Sequence, residues 1–214
     1  MRNKFDLQLE LLNRELIEMG ALCERALSVI AAVLQNGNLA SLEEAIKLEE
    51  EIDHMESEIE QLCLRLLLQQ QPVARDLRLI SSALKMITDM ERIGDQTQDI
   101  ADILKMGNIK PAENATLEQM AQATMKMVTG SVDAYVQKDL VLVEEVFRSD
   151  DEVDRLFLEE RELLIATVAA DPQSGEQALD QLMVAKYFER IGDHAVNIAN
   201  WVSFSVTGKH GRDA

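Results

Sequence analysis

The sequence predicts an all-α protein built as two tandem, pseudo-symmetric three-helix bundles with six long antiparallel helices. Of its 214 residues only nine are Gly and three are Pro, and aromatic residues make up 4% of the chain. These proportions are too low for a protein of many strands and turns. Leu, Ala, Glu and Met, which favour helices, are abundant instead. In addition, motifs of the first half return in the second half at a nearly constant offset, which indicates a duplicated fold.

Two blocks of the sequence occur twice in the same order. The pentapeptide ERIGD at residues 91–95 returns unchanged at residues 189–193, an offset of 98. Residues 38–53 match residues 139–154 at an offset of 101, with the acidic positions largely retained. We therefore expect a first three-helix repeat over residues 1–107, a second over residues 114–207, and a frayed tail over residues 208–214.

Each helix of the first half has a local reason to begin or end. Apolar residues recur with the helical period over residues 5–35, and Asn-Gly-Asn at 36–38 is typical of a helix C-cap. The second helix is predicted over residues 39–71, where Pro72 ends it. The third is predicted from an Asp76 N-cap to about residue 106, before Gly107 and Pro111.

The second half repeats this order of elements. Helices are predicted over residues 115–137, 140–169 and 175–206, with Asp171-Pro172 interrupting the chain between the last two. Short connections make neighbouring helices antiparallel, so each half folds as one bundle.

The charge balance limits the partners of the protein. The chain has 39 acidic residues against 21 Lys and Arg, a formal net charge of −18. Because this charge repels phosphate backbones and anionic lipid surfaces, binding to nucleic acids or to such surfaces is not expected. Direct membrane insertion is not expected either, because no run of about 18 apolar residues is present to span a bilayer. The sequence begins without a signal peptide, and Cys23 and Cys63 form no CxxC pair. We therefore expect a cytoplasmic protein with two buried thiols.

Carboxylates line one face of the third helix in each half. Glu91 and Glu189 each occupy a position where the pattern predicts an apolar residue, and an unpaired carboxylate there is costly. The stripe continues at four-residue steps along the third helix, and the second helix contributes further acids on a shared face. The candidate metal ligands are Glu91, Asp95, Asp99, Glu50 and Asp53 in the first half, and Glu189, Asp193, Asn197, Asp151 and Asp154 in the second.

The second helix of each half is strongly acidic. Residues 43–60 carry a net charge of −8 and residues 139–162 a net charge of −7. Packing such a helix against the third costs energy unless cations lie between the two faces. Side-chain oxygens suit magnesium, calcium or manganese and admit iron, so we expect magnesium, manganese, iron or zinc as cofactor. The alternative is that Arg92 and Arg190 neutralise the motif acids while the remaining acids face solvent.

The position of the glycine in each ERIGD motif predicts a close contact between helices. Gly94 and Gly192 lie on the same seam as the motif glutamates, which indicates a close approach by another backbone or side chain at these two points.

No residue pattern typical of catalysis is present. ExxH occurs once, at Glu51 and His54, whereas a ferritin-like di-iron centre needs it twice. The chain has neither a GxxxxGK[ST] nor a GxGxxG loop, and no nucleophile with a paired base stands out. We expect a protein that is not an enzyme, with no catalytic residue and no organic cofactor.

The doubled ERIGD motif, each copy preceded by an acid-rich helix, resembles the PhoU family of phosphate-transport accessory regulators. The stretch QPVARDLR at residues 71–78 is similar to that family's QPxxxDLR segment. The resemblance covers essentially the full chain. It implies two three-helix bundles, an E/DxxxD metal-binding motif in each repeat, and a homodimer. The motif acids that carry over directly are Glu91, Asp95, Glu189 and Asp193.

The resemblance also implies a function. PhoU-like proteins negatively regulate phosphate uptake and the phosphate-starvation (Pho) response, and they link the ATPase subunit of the phosphate ABC importer to a sensor histidine kinase. Because the second repeat has DPQS where the first has QPVARDLR, any role of Asp76 or Arg78 belongs to the first half. Two other functions fit the residues: a metal-buffering or metal-dependent hydrolytic protein, and a purely structural dimeric scaffold with salt-bridged acids.

Overall fold

The computed structural model describes residues 2–69, 72–111 and 114–211, and these ranges contain six long helices and no strand. The helices are α1 (Arg2–Asn36), α2 (Leu42–Gln69), α3 (Ala74–Met106), α4 (Ala115–Gln137), α5 (Leu140–Ala170) and α6 (Gly175–Thr207). Short 3₁₀ turns at Leu39–Ser41 and Pro172–Ser174 precede α2 and α6. The predicted all-α class is confirmed.

The helices form two three-helix bundles that lie side by side. In the first bundle α2 packs against α1 and α3, and in the second α5 packs against α4 and α6. The bundles join through contacts of α3 with α6 and of α1 with α4. As a result α2 and α5 form the two outer sides, and a single hydrophobic core draws buried side chains from all six helices.

Residues with a left-handed backbone end several of the helices. Gly37, Gly107 and Gly208 follow α1, α3 and α6 with φ values of 71°, 80° and 81°. Glycine adopts this conformation without the steric cost of a Cβ atom. The predicted C-cap after the first helix is therefore confirmed.

Two helix starts differ from the sequence prediction. The second helix begins at Leu42 rather than residue 39, because residues 39–41 form a 3₁₀ turn. The third begins at Ala74 with Val73 as its N-cap residue and without a side-chain cap hydrogen bond. Asp76 consequently lies in the first turn, where a carboxylate is stabilised by the helix dipole. The predicted end of the second helix at residue 71 lies outside the described residues.

Both cysteines are buried and free, as predicted. The thiol of Cys23 lies 3.4 Å from the carbonyl oxygen of Met90, to which it donates a hydrogen bond. Burial raises the pKa of Cys23 and of Cys63 to about 12. Both thiols therefore stay protonated and act as core residues.

The segment that follows α6 folds back onto that helix. Ser203 Oγ donates a hydrogen bond of 3.2 Å to the carbonyl of Lys209. The ring of His210 stacks on Phe204 with 5.0 Å between centroids and meets Trp201 edge-on. The remainder of the predicted tail, residues 212–214, lies outside the described residues.

Gly20 allows α1 and α4 to approach each other closely. A Cβ atom at Gly20 would lie 2.8 Å and 3.0 Å from the two γ-methyl carbons of Val132 on α4. A Cβ at Gly192 on α6 would instead lie 3.6 Å from Met127, an ordinary van der Waals distance. The two helical glycines thus differ in whether the neighbouring helix leaves room for a side chain.

We expect Gly20→Ala to destabilise the protein and Gly192→Ala to stabilise it. Replacing Gly by Ala in a helix contributes roughly 0.5–1 kcal/mol, whereas overpacking costs about 1–3 kcal/mol. The overpacking cost applies at Gly20, because the β-branched Val132 cannot rotate away without a helix shift. Urea unfolding followed by circular dichroism measures both changes, and a stabilised Gly20→Ala protein would contradict this account of the α1–α4 contact.

Candidate metal centre

An isoleucine of α2 packs against a glycine of α3. A Cβ atom at Gly94 would lie 3.2 Å and 3.3 Å from Cγ2 and Cδ1 of Ile52, so only glycine leaves the isoleucine undisturbed. The second bundle repeats this pair, because Val153 on α5 lies beside Gly192 on α6. The predicted close approach is confirmed at Gly94, where it brings the acidic faces of α2 and α3 together. At Gly192 the neighbouring side chains of Met127 and Val153 would lie 3.6 Å and 3.7 Å from a Cβ atom, which is ordinary van der Waals contact.

Acidic side chains from α2 and α3 converge beside this contact. Glu49, Asp53 and Asp95 each place a carboxylate oxygen within 4.8 Å of the other two. Glu91 and Glu56 border the group, since the charges of Asp53, Glu56 and Asp95 all act on Glu91. We call these five residues the first acidic cluster.

Burial and repulsion between carboxylates raise the pKa of two glutamates in the first acidic cluster. The pKa of Glu49 is raised above its ordinary value by burial and then by the charges of Asp53 and Asp95. The pKa of Glu91 is raised by burial and by Asp95, against the opposing effect of Arg92. Removing these carboxylates from water without a cation between them therefore costs free energy.

One guanidinium group partly neutralises the first acidic cluster. Arg92 Nη1 lies 2.8 Å from Asp95 Oδ2, and Arg92 Nε lies 3.3 Å from Glu91 Oε2. The Arg92 side chain is 53% exposed, so these are surface ion pairs of small net stability. The predicted alternative, in which arginine neutralises the motif acids, thus holds for Glu91 and Asp95 of the first cluster.

The second bundle has an equivalent group between α5 and α6. The pKa of Asp154 is raised by burial and then by Asp150 and Glu189, and that of Asp193 by burial and then by Glu189 and Asp150. We call these four residues the second acidic cluster. They correspond to Glu49, Asp53, Glu91 and Asp95 at the two repeat offsets.

The cation of the second acidic cluster is a lysine. Lys186 Nζ forms an ion pair with Glu189 Oε2 and lies 5.5 Å from the centroid of the Phe157 ring. The predicted neutralising residue, Arg190, acts instead on Tyr187, whose pKa is raised by burial and Asp99 and lowered by Arg190.

The structure brings six of the ten predicted ligands into the two clusters. Glu50 and Asp151 lie beside the clusters with exposed side chains, where their charges act on Glu49 and Asp154. The six that belong to the clusters are Glu91, Asp95 and Asp53 in the first and Glu189, Asp193 and Asp154 in the second.

Asp99 and Asn197 lie elsewhere, at the contact between α3 and α6. Tyr187 donates a hydrogen bond to Asp99, and Asn197 Nδ2 donates one of 3.1 Å to Asp89 Oδ1. The reason is geometric: at 3.6 residues per turn, a residue eight positions along a helix is rotated by about 80° from the first. The stripe of acids predicted from four-residue steps along α3 and α6 therefore does not stay on one face. Its last residue faces the other bundle instead of the second helix of its own half.

Sequence reasoning missed Glu49, Glu56 and Asp150. Glu49 and Asp53 are four residues apart on α2, as Glu91 and Asp95 are on α3, and Asp150 and Asp154 repeat this spacing on α5. Applying the E/DxxxD spacing to the second helix as well as the third would have identified two of these three residues. Glu56 has no equivalent acid in the second half and carries no such signal.

Comparison with known proteins agrees with this architecture. The family model described as PhoU domain matches residues 16–104 and 117–202, one match in each bundle. The chain belongs to the PhoU family. A "phosphate-specific transport system accessory protein PhoU homolog" from Clostridium acetobutylicum is 36% identical over 211 residues, which are 97% of this chain and 96% of that relative. The PhoU homolog from Deinococcus radiodurans is 33% identical and covers 97% and 99%.

Solved structures of the PhoU family share the fold. The crystal structure of PhoU from Pseudomonas aeruginosa matches with a TM-score of 0.88 and 30% identity, over 96% of this chain and 100% of that one. The phosphate transport system regulatory protein PhoU from Streptococcus pneumoniae matches with a TM-score of 0.86 at 24% identity, over 96% and 98%. Among the described residues of this PhoU-family chain, no helix has the length and apolar character needed to cross a membrane.

We expect Glu49→Gln to stabilise the metal-free protein at neutral pH. A carboxyl group whose folded-state pKa is raised contributes stability below its ordinary value, here 4.5, and this contribution is lost as the pH rises through the raised value. Glutamine cannot ionise, so the Glu49→Gln protein does not lose this stability as the pH rises. Its melting temperature in EDTA should exceed that of the wild type by a few degrees at pH 7 and equal it near pH 4. Glu51→Gln, an exposed position on the same helix, is the matched control. An equal gain in both variants would show that total charge, rather than the cluster, is responsible.

Proposed function

We propose that this chain is a metal-binding adaptor that negatively regulates phosphate uptake and the phosphate-starvation response. The observation that carries the proposal is the convergence of Glu49, Asp53 and Asp95 between two helices of a PhoU-family chain. Three carboxylate oxygens in this arrangement repel each other unless a cation lies among them.

The donor set fits a hard divalent cation. The converging ligands of the first acidic cluster are carboxylates, without histidine or cysteine. Carboxylate oxygens suit magnesium and manganese, whereas zinc prefers nitrogen and sulfur ligands. We therefore favour magnesium or manganese among the four metals predicted from the sequence. A bound ion would supply the positive charge that offsets repulsion between α2 and α3.

This chain's own residues would hold the two helices in register around such an ion. Glu49 and Asp53 lie on the outer helix α2, and Asp95 lies on the central helix α3. Arg92, paired with Glu91 and Asp95, is sufficiently exposed to rotate outward and release those carboxylates. Metal occupancy would then set how firmly α2 is attached to the rest of the protein.

The regulatory part of the proposal rests on the relatives. Proteins similar to this chain over nearly their whole length are named accessory proteins of the phosphate-specific transport system. We propose that this chain acts in the cytoplasm as a homodimer, and that it links the ATPase subunit of the phosphate importer to the sensor histidine kinase. The net charge of −18 suits basic surfaces on such partners.

Metal content tests the site. We expect purified protein to contain stoichiometric metal by inductively coupled plasma mass spectrometry, and Glu49→Gln combined with Asp95→Asn to lose it while remaining helical. Asp99→Asn is the control, because Asp99 bonds Tyr187 at the α3–α6 contact and should retain the metal. Full retention of metal in the double variant would refute the site. A metal-free wild type that still binds its partners would favour the structural scaffold.

Gene deletion tests the regulation. We expect loss of this protein to raise the expression of alkaline phosphatase and of the phosphate importer in cells grown with abundant phosphate, because the kinase would no longer be held in its repressing state. Expression of the wild-type chain should restore repression. Unchanged expression after deletion would refute the regulatory role, and metal-dependent hydrolysis of a phosphate ester lost in Asp95→Asn would favour the hydrolytic alternative.

A further inference from the structure

We propose that the two acidic clusters are not equivalent: the first takes a divalent cation, whereas the second carries its own counter-ion, the ammonium group of Lys186. This inference rests on the proposed metal-binding function and refines it. It departs from the family resemblance, which implies a metal-binding motif in each repeat.

Two substitutions between the repeats distinguish the clusters. At the offset of 98, Lys186 occupies the position of Thr88, and at the offset of 101, Phe157 occupies the position of Glu56. The first half therefore has a fifth acid where the second half has an aromatic ring. It also has a neutral hydroxyl, bonded to the carbonyl of Leu84, where the second half has a cation.

The two substituted residues of the second half act together. Lys186 forms an ion pair with Glu189, whose side chain is only 18% exposed. The same ammonium group lies within cation–π range of the Phe157 ring, and that ring packs against the core. One carboxylate and one aromatic ring thus hold the ammonium beside the cluster. There its positive charge acts on Asp154 and Asp193 against the effects of burial and of the neighbouring acids.

The cations of the two clusters differ in what lies beside them. Each pairs with acids of its own helix, Arg92 with Glu91 and Asp95 and Lys186 with Glu189, and their side chains are 53% and 45% exposed, but Lys186 also lies beside the Phe157 ring. Despite this arginine, oxygens from α2 and α3 converge within 4.8 Å. Within the ranges that the structure describes, this is the one group of three such residues whose ligand atoms converge to that distance.

A divalent cation therefore meets different conditions at the two clusters. At the first it enters among converging carboxylates. At the second it must repel or displace the Lys186 ammonium and break its contacts with Glu189 and the Phe157 ring. Since like charges at short range in a partly buried site oppose each other strongly, Lys186 determines the lower metal affinity of the second cluster.

Manganese titrations on the full chain test the inference. Asp53→Asn with Asp95→Asn leaves only the second cluster intact, and Asp154→Asn with Asp193→Asn leaves only the first. We expect calorimetry to give a Kd for Mn²⁺ at least tenfold weaker in the former protein than in the latter. Adding Lys186→Thr to the former should tighten binding at least tenfold, and adding Lys186→Arg, which keeps the charge, should not. Thr88→Lys in the latter should weaken binding at least tenfold.

The outcomes separate this inference from the metal-binding proposal. Equal Mn²⁺ affinity at the two clusters, or no effect of Lys186→Thr, would overturn the inference and leave metal binding intact. Absence of Mn²⁺ binding from both proteins would overturn metal binding and with it the affinity difference. Urea unfolding in EDTA adds a readout without metal: Lys186→Thr should lower the midpoint and Lys186→Arg should not, and an unchanged midpoint in both would refute the counter-ion role.

Discussion

Close packing of two acidic helices is the constraint on which the rest of the structure depends. Ile52 of α2 lies against Gly94 of α3, and this apolar contact fixes the distance between the helices. The same contact places Glu49 and Asp53 beside Asp95, so the burial that stabilises the bundle also concentrates negative charge. The raised pKa of Glu49 is a consequence of that geometry, because burial and the charges of Asp53 and Asp95 act on it. A cation between α2 and α3 at this place would therefore offset repulsion that the fold itself produces.

The central helices α3 and α6 serve the acidic clusters on one face and the joint between bundles on another. Asp89 accepts hydrogen bonds from His194 and Asn197 across the bundle contact, and Tyr187 donates to Asp99 at the pseudo-symmetric position. These polar contacts lie on the helices that also carry the cluster acids. A change in the spacing of α2 and α3 thus acts on a helix that directly contacts the second bundle. A displacement of the outer helix α2 can therefore be transmitted through α3 to α6.

Duplication preserved the backbone while the two halves diverged in their chemistry. Thr88 and Lys186 show this at the clusters, and Glu160 shows it in the core. Glu160 is entirely buried and accepts a hydrogen bond of 2.8 Å from Asn114, the N-cap residue of α4, whereas the equivalent residue of the first half is the buried Ile59. One half fills the position with an apolar side chain, and the other fills it with a carboxyl group that accepts a hydrogen bond from the N-cap residue of α4.

The sequence by itself determined the six helices, their approximate ends, the duplication and the presence of acidic faces, because helical period, glycine caps and proline breaks act over a few residues. Tertiary structure decided which acids meet. Glu49 rather than Glu50 joins the cluster, since the rotation of α2 is set by the packing of Ile52 on Gly94. Asp99 and Asn197 turn to the other bundle because α3 and α6 each contact their own bundle on one side and the other bundle on another. Which face of a helix meets which neighbour depends on residues distant in the chain, so local patterns predict the elements and packing selects the site.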